Sequence, residues 1–213
     1  MKPVQVTDAL QEYMEALLPA RDPVLRRLEA EAEREGIPII GPHEGMLLYL
    51  LVRVSGAGRL LELGTATGYS GIWLARGSDE ARLTTFETDP ARADRAERNF
   101  KDAGLEGRVR VRREDAVAAL QTAADSYDLC FVDILNSLLS EREVEAVFDA
   151  CCRALEPGGL LIADNALRQG EVLRPDSDGG RKLARYNELV SGSAELESVV
   201  IPLRDGVSVA RRR

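Results

Sequence analysis

The stretch from residue 60 to residue 70 constrains the fold more than any other part of the chain. It reads Leu-Leu-Glu-Leu-Gly-Thr-Ala-Thr-Gly-Tyr-Ser, an apolar run that carries one carboxylate, Glu62, and stops at Gly64. A turn of small residues follows to Gly68, and residues 72–75 can then be helical. This order predicts a buried parallel strand, a tight turn and a helix N-terminus, the place where open α/β sheets bind their ligands.

The glycine spacing limits which ligand this turn can hold. No third glycine stands between Gly64 and Gly68, so the dinucleotide pattern G-x-G-x-x-G is absent. The phosphate-loop pattern fails as well, because Tyr69 stands where a lysine is needed. We therefore expect a nucleotide-like ligand without a pyrophosphate, and the spacing disfavours a dehydrogenase.

Composition places the chain among ordinary globular proteins. Its 213 residues, 45% apolar and 30% charged, are most simply one domain spanning 1–213. A net charge of −8 argues against broad nucleic-acid binding. No apolar run approaches a membrane span and the N-terminus lacks an apolar signal core, so we expect a cytoplasmic protein. Cys130, Cys151 and Cys152 form no metal-type or redox-type pair and are expected to be reduced, buried thiols.

From Arg59 onward, predicted strands alternate with predicted helices. The strands are 59–63, 82–87, 108–112, 127–133 and 159–163, and the helices lie near 70–77, 90–103, 115–122 and 140–155. After a further helix from about 180 to 191, two last strands, 196–203 and 207–210, are joined by Asp205-Gly206, a hairpin signal. The pattern predicts an α/β fold: a mostly parallel, doubly wound sheet of seven strands with a C-terminal antiparallel hairpin and helices on both faces.

Three more helices are predicted ahead of the sheet. They cover residues 8–18, 24–35 and 43–54, with an extended linker at 37–42. We expect residues 1–55 to cap the site and to contribute to a dimer, and residues 59–213 to form the core.

Ligands in such sheets lie beyond the carboxyl ends of the strands. The second strand ends at Glu87, where an acidic side chain can accept hydrogen bonds from a ribose diol. The alternative is that Glu87 and Asp89 both cap the helix at Pro90; we assign the cap to Asp89 and the ribose to Glu87. After the third strand, Asp115 is either a helix cap or an adenine contact.

Oxygen-bearing side chains also follow the fourth and fifth strands. Asp133 ends the fourth strand, and Asp164 and Asn165 end the fifth. Neighbouring strands would bring the three together, and such hard oxygen ligands suit Mg²⁺, Mn²⁺ or Ca²⁺ rather than zinc. The alternative is that all three are turn residues, which are common after strands.

With these residues the chain resembles the metal-dependent class I O-methyltransferases that use S-adenosylmethionine (SAM), the catechol and caffeoyl-CoA O-methyltransferase-like proteins. The resemblance runs nearly end to end. It rests on Arg21-Asp22-Pro23, Glu44-Gly45, the Glu-Leu-Gly-x-x-x-Gly-Tyr-Ser core at 62–70, Asp164-Asn165 with Leu167, Gly170 and Val172, and the ending at 202–207. It implies a Rossmann-like core and, because family members are commonly dimers, a homodimer.

The resemblance also implies roles for individual residues. The cofactor-binding set is Ile40, Glu62, Gly64, Thr65, Gly68, Ser70, Glu87, Asp115, Ala116 and Asp133, with Glu87 on the ribose hydroxyls and Ala116 on the adenine. Asp133, Asp164 and Asn165 would hold the divalent ion, Mg²⁺ before Mn²⁺ or Ca²⁺. The implied reaction moves a methyl group to a hydroxyl of a small diol-like acceptor, catechol-type or hydroxycinnamoyl-type, which the ion orients and acidifies.

One position departs from the family. Three residues after the Asp that ends the fourth strand, the usual lysine is replaced by Asn136, which cannot act as a base at neutral pH. The candidate catalytic residues are therefore Asp133, Asn136 and His43, the only histidine. His43 is a substitute base or else a surface or cap residue.

Three other functions stay open. The first is methylation of a hydroxylated tRNA base, for which one arginine-rich face could dock RNA: Arg92, Arg95, Arg98, Arg108, Arg110 and Arg112. The second is SAM binding without catalysis, which the missing lysine suggests. The third is the disfavoured dehydrogenase.

Overall fold

The computed structural model describes residues 5–122, 126–174 and 176–213, and its strands form one sheet. The strands are β1 (Arg59–Leu63), β2 (Arg82–Phe86), β3 (Val109–Arg112), β4 (Tyr127–Val132), β5 (Leu155–Ala163), β6 (Leu196–Ile201) and β7 (Val207–Arg212). Their order is β3-β2-β1-β4-β5-β7-β6. The first five are mutually parallel, and β7 runs antiparallel to both β5 and β6. The predicted fold class is confirmed.

The helices cover both faces of this sheet. They are α1 (Asp8–Ala16), α2 (Pro23–Glu35), α3 (Gly41–Ser55), α4 (Tyr69–Arg76), α5 (Pro90–Asp102), α6 (Ala116–Thr122), α7 (Glu141–Ala154) and α8 (Asp178–Gly192), with short 3₁₀ turns at Leu135–Ser137 and Arg168–Leu173. Successive strand residues point to opposite faces. Leu61 and Leu63 pack with α6, α7 and α8, whereas Leu60 packs with α2 to α5. Glu62 therefore faces the second group of helices, under the N-terminus of α4.

Local chemistry explains where helix α2 begins and ends. The Asp22 carboxylate accepts hydrogen bonds from the backbone N–H groups of Val24 and Leu25, at 2.7 and 3.2 Å, and Pro23 occupies the first turn. The helix stops at Gly36, which takes the left-handed conformation that ends many helices. Helix α2 is therefore fixed at both ends, close to the predicted bounds.

Two predicted boundaries are wrong. The extended linker expected over 37–42 ends earlier, because α3 begins at Gly41 with Pro42 in its first turn. Strand β5 begins at Leu155 rather than at 159, and its pairing with β4 shifts register between Tyr127 and Leu129. The Pro157-Gly158-Gly159 run lies between the residues of β5 that pair with Tyr127 and Leu129, so a bulge accommodates it within the strand.

Among the described residues, none of the helices combines the length and the apolar character that a membrane crossing requires.

Candidate active site

The carboxyl ends of the central strands form one edge of the sheet, and four predicted residues lie there. The ladder runs one residue past the strands: Gly64 N–H donates to Phe86 O at 3.2 Å, Asp133 N–H to Leu63 O at 2.9 Å, and Asp164 N–H to Val132 O at 3.1 Å. Glu87 N–H likewise bonds the strand next to it. Gly64, Glu87, Asp133 and Asp164 are therefore brought side by side, one from each strand end.

The turn after β1 is possible only with glycine at position 64. Gly64 has a φ of +100°, and a Cβ there would lie 2.8 Å from the carbonyl oxygen of Asp133. A side chain would be strained and would collide with backbone. The first glycine of the turn thus lets the end of β1 approach the end of β4 closely. Gly68 begins α4 with its own positive φ of +86°.

Glu62 is a fully buried carboxylate directly below this turn. One oxygen, Oε2, accepts a hydrogen bond from Thr85 Oγ1 at 2.6 Å, and Thr85 in turn lies 2.6 Å from the Thr65 hydroxyl. Burial raises the pKa of Glu62 to about 7, although hydrogen bonds from Ser70 and Thr85 oppose the rise. The other oxygen, Oε1, is buried with no partner in the described part of the chain. This orphaned acceptor fits a ligand that brings a positive or N–H donor group.

Of the two acids after β2, Asp89 caps helix α5 and Glu87 does not. Asp89 accepts from the N–H groups of Ala91 and Arg92 at 2.8 and 3.1 Å, so it is the cap of α5, as predicted. Glu87 accepts one backbone N–H on each oxygen, from Ala66 and from Asp89, both at 2.9 Å. Each oxygen keeps a lone pair for a further donor.

The adenine candidates after β3 separate as well. Asp115 is exposed and accepts a hydrogen bond from Ala118 N–H at 2.7 Å, so it caps helix α6. Ala116, the next residue, is buried.

The acidic side chains beyond β4 and β5 repel one another. Burial and the neighbouring Asp164 raise the pKa of Asp133 well above its usual range, and burial raises the pKa of Asp164. Asn165, at a strained φ of +63°, donates its backbone N–H and side-chain Nδ2 to the two Asp164 oxygens at 2.6 and 3.0 Å. The pair of carboxylates is therefore short of positive charge.

These donors fit a hard divalent cation. Two carboxylates and one amide oxygen are the chemistry that Mg²⁺, Mn²⁺ and Ca²⁺ prefer. Within residues 5–122, 126–174 and 176–213, no three His, Cys, Asp or Glu side chains are grouped so that they could hold a metal. Only two of the three predicted ligands are carboxylates, and the third is the Asn165 amide.

Asn136 lies in this site and is linked to Arg168, which the sequence reasoning missed. Asn136 Nδ2 donates to Asn165 Oδ1 at 2.7 Å, and the Arg168 guanidinium donates to Asn136 Oδ1. Arg168 Nε also bonds Glu171 at 2.8 Å. A guanidinium thus stands one hydrogen bond behind the position of the family's lysine. The sequence contained no signal for it beyond the missing lysine itself.

Glu44 is a second residue that the sequence reasoning left out of the site. It is completely buried in the first turn of α3, and neither carboxylate oxygen has a hydrogen-bond donor among the described residues. Burial, with Asp164 and Asp133 nearby, raises the pKa of Glu44 to about 9. Its signal in the sequence was an acid inside an apolar helix.

The remaining predicted residues on the N-terminal side are less closely tied to the site. Ile40 is buried just before α3. His43 is partly buried in the first turn of α3, and its Nε2 is buried without a described partner. No hydrogen bond between described residues joins His43 to the carboxylates, and the structure gives no support to it as a base.

Half of the predicted arginine face is engaged within the protein. Arg95 pairs with Glu31 and Glu35 at 2.7 and 2.6 Å. Arg108 donates to two backbone carbonyls, and Arg112 pairs with a neighbouring glutamate at 2.6 Å. These charges are not available as a continuous patch for phosphates.

Comparisons with known proteins identify the family of this chain. A family model described as O-methyltransferase matches residues 20–213. A catechol O-methyltransferase of Niastella koreensis is 30% identical in an alignment that covers 97% of each chain. The Bacillus cereus O-methyltransferase, solved in complex with SAH, is 30% identical with a TM-score of 0.84 over 96% of this chain and 97% of that one. TomG of Streptomyces achromogenes, an O-methyltransferase involved in tomaymycin synthesis and solved with SAM, is 28% identical with a TM-score of 0.82 over 96% of each chain. The chain belongs to the O-methyltransferase family and is a SAM-dependent methyltransferase.

Proposed function

We propose that the protein transfers a methyl group from SAM to one hydroxyl of a small diol-like acceptor, catechol-type or hydroxycinnamoyl-type, with a divalent cation holding the acceptor. The observation that carries this proposal is that the turn after β1 and the acidic residues after β4 and β5 lie next to each other at one edge of the sheet. A glutamate-lined turn at Gly64 lies directly against Asp133, the first residue of the acidic set. A cofactor over the turn and an acceptor over the acids would therefore be neighbours.

The cofactor side needs acceptors rather than a phosphate cradle. SAM carries a sulfonium, an ammonium and a ribose diol, and it has no phosphates. Glu87 keeps lone pairs for the ribose hydroxyls, and the orphaned Oε1 of Glu62 can accept from a cationic donor. Ala116, buried beyond β3, would contact the adenine. The other proposed contacts are Ile40, Gly64, Thr65, Gly68, Ser70, Asp115 and Asp133.

Asp133, Asp164 and Asn165 would hold the ion, Mg²⁺ in the first place and Mn²⁺ or Ca²⁺ as alternatives. When bound, the ion supplies the charge that lowers the pKa of a coordinated hydroxyl. Its positive charge also relieves the repulsion between the two carboxylates.

The protein residues around the acceptor contribute position and charge. The acceptor hydroxyl loses its proton to water, and the bond from sulfur to the methyl carbon then breaks as the bond from the acceptor oxygen to that carbon forms, which leaves SAH with a neutral thioether. Asn136 cannot take the hydroxyl proton, and a guanidinium such as that of Arg168 only donates hydrogen bonds. Arg168 therefore offers a fixed positive charge through Asn136, where the family's lysine could exchange a proton. Most of the rate then comes from orientation.

The other functions fit less well. The engaged arginines weaken the case for tRNA, the glycine spacing disfavours a dehydrogenase, and family membership favours an enzyme over a non-catalytic SAM-binding protein. We also propose a single domain that works as a homodimer in the cytoplasm. Support for the dimer comes from α1, which buries none of its residues and exposes Tyr13 and Leu17.

The test is a methyl-transfer screen with labelled SAM. Catechols, hydroxycinnamoyl thioesters and tRNA are offered as acceptors, with Mg²⁺ or with chelator, to the wild type and to Asp164→Asn. We expect transfer to a diol-like small molecule that chelator and the substitution both abolish. Transfer to a catechol unaffected by either would refute the metal-assisted mechanism, and transfer to tRNA alone would refute the acceptor.

A further inference from the structure

Two cationic side chains reach the segment that follows β4. Arg168, from the 3₁₀ turn after β5, donates to the side chain of Asn136. Lys182, from helix α8, donates its ammonium to the backbone carbonyl of Leu138. Both contact points come shortly after Asp133, whose carbonyl oxygen lies against the cofactor turn at Gly64. Positive charge is therefore concentrated on one side of the candidate site.

The charge of Lys182 is not balanced within the described part of the chain. Among the described residues its ammonium forms no ion pair, and the backbone carbonyl takes up one of its N–H donors. Acids of the neighbouring segments bond elsewhere. Glu143 accepts from Leu139 N–H at 2.7 Å, and Asp178 pairs with Arg181. Lys182 therefore keeps donors and a positive charge for a ligand.

Arg168 is held in place and also keeps donors. Its Nε bonds Glu171 at 2.8 Å, which offsets part of its charge, and Nη1 bonds Asn136, while Nη2 has no hydrogen-bond partner among the described residues. Gly179 packs so closely that a Cβ there would lie 2.6 Å from the guanidinium carbon. The Arg168 side chain is 30% exposed. A fixed, partly exposed guanidinium suits a carboxylate, which it can bind with parallel hydrogen bonds.

The other side of the same site is acidic. Asp133 and Asp164 follow β4 and β5, and Asn165 comes next in the chain. The two sides adjoin, because Asn136 Nδ2 donates to Asn165 Oδ1 at 2.7 Å and accepts from Arg168. A neutral diol over the acids would leave the cationic side without a partner. A diol that also carries an anionic group would match both sides.

We propose that Arg168 and Lys182 bind a carboxylate of the acceptor, so that the preferred substrate is a diol-like aromatic acid rather than a neutral catechol or a thioester. The diol lies over Asp133, Asp164 and Asn165, and the carboxylate lies beside the segment 136–138. The inference rests on the proposed function, because it needs the acceptor over those three residues. It adds the chemical group by which the acceptor is selected.

The test compares acceptors that share a diol and differ in charge. Caffeate is paired with its methyl ester and protocatechuate with its methyl ester, and caffeoyl-CoA is the thioester arm. kcat/KM is measured with labelled SAM and Mg²⁺ for the wild type, Lys182→Gln, Arg168→Gln and the conservative Arg168→Lys. Lys101→Gln, at an exposed lysine of α5, is the matched control.

We expect the wild type to favour each acid over its ester about 10- to 100-fold in kcat/KM, because hydrogen bonds between charged groups are strong. Lys182→Gln and Arg168→Gln should each lower this ratio about tenfold. Arg168→Lys should keep more of it, and the control should match the wild type. A merely structural role would lower kcat/KM for acid and ester alike, so a ratio that both Gln substitutions leave unchanged would overturn the assignment.

Binding without turnover gives a second measurement. Caffeate and its methyl ester are titrated by calorimetry into the SAH-bound protein with Mg²⁺. The wild type should bind the acid more tightly than the ester, and Lys182→Gln should lose most of that difference. The comparison within the wild type needs no variant, and Lys182→Gln still decides the outcome if Arg168→Gln does not fold.

The inference and the proposed function fail differently. Esters methylated as efficiently as the acids, or a preference for the thioester, would overturn the role of Arg168 and Lys182 and leave the diol-like acceptor standing. Absence of transfer to any of the diols would remove the proposed acceptor and the inference with it.

Discussion

Replacing Glu62 by glutamine should change how the stability of the protein depends on pH. Glu62 is fully buried on the sheet face under α4, with Oε2 bonded to Thr85 and Oε1 without a described partner. Burial raises its pKa from the usual 4.5 to about 7. Glutamine keeps the shape and removes the titration, so comparing the two proteins isolates this group.

The sign follows from proton binding. Because the folded-state pKa lies above the unfolded one, the folded protein binds the proton more tightly between pH 4.5 and about 7. The free energy of unfolding of the wild type should therefore fall as pH rises through that window. A pKa raised from 4.5 to about 7 in the folded state lowers the free energy of unfolding by about 3 kcal/mol, at about 1.4 kcal/mol per pKa unit. Below pH 4.5 Glu62 is protonated in both states and its burial does not lower the stability. Above about pH 7 the full loss of stability is present.

Urea unfolding of ligand-free protein in chelator, repeated from pH 4.5 to 8.5, measures this difference. We expect the free energy of unfolding of Glu62→Gln, minus that of the wild type, to rise by about 3 kcal/mol between pH 4.5 and 7 and then to level off. An unpaired amide hydrogen in the variant would shift the whole curve without changing its slope. Glu106→Gln, an exposed carboxylate, serves as control. A difference that is flat across the window, or that falls with pH, would refute the burial argument.

Two further substitutions test the two halves of the site. Glu87→Ala should weaken SAH binding in calorimetry about tenfold or more, because hydrogen bonds to a charged acceptor contribute about 1.5–3 kcal/mol. The exposed neighbour Thr88→Ala is its control, and unchanged SAH affinity of Glu87→Ala would contradict the ribose role. Gly179→Ala should push Arg168 away from Asn136, since a Cβ there collides with the guanidinium, lowering kcat/KM for methyl transfer and costing about 1–3 kcal/mol of stability. Gly192→Ala, with nothing within 4 Å of its Cβ, should do neither, and equal effects in both variants would contradict the packing argument.

Hydrophobic patterning was sufficient to predict the sheet because its central strands are buried on both sides. Leu60 and Leu61 serve opposite faces, so an uninterrupted apolar run was the correct signature of β1. Patterning failed at β5, where glycine and proline usually mark a turn and here lie within a bulged strand. It also failed at Gly41, because a positive φ of +70° at a helix start leaves no periodic signal.

Site residues at the carboxyl end of a strand could be predicted from the sequence. Site residues from a helix or a turn outside the sheet could not. Asp133 and Asp164 are placed by the parallel order of β4 and β5, which the alternation of elements implies. Arg168 reaches Asn136 from a 3₁₀ turn, and Glu44 comes from the first turn of helix α3. Their positions depend on how distant segments pack, and no spacing in one sequence encodes that.

The missing lysine and the arginine behind it are best understood as one change in the site. Asn136 donates a hydrogen bond to Asn165 and accepts one from Arg168. Its amide therefore connects the Arg168 guanidinium to the last of the three predicted metal ligands. A lysine at 136 would place an ammonium against that guanidinium, and like charges at such a distance lower the pKa of the amine and weaken its hold. Arg168 has its own backbone cost, a φ of +43°, and it needs Gly179 to make room for it. Restoring the family's lysine alone would therefore set two cations against each other, and the local structure is arranged around one of them, the Arg168 guanidinium.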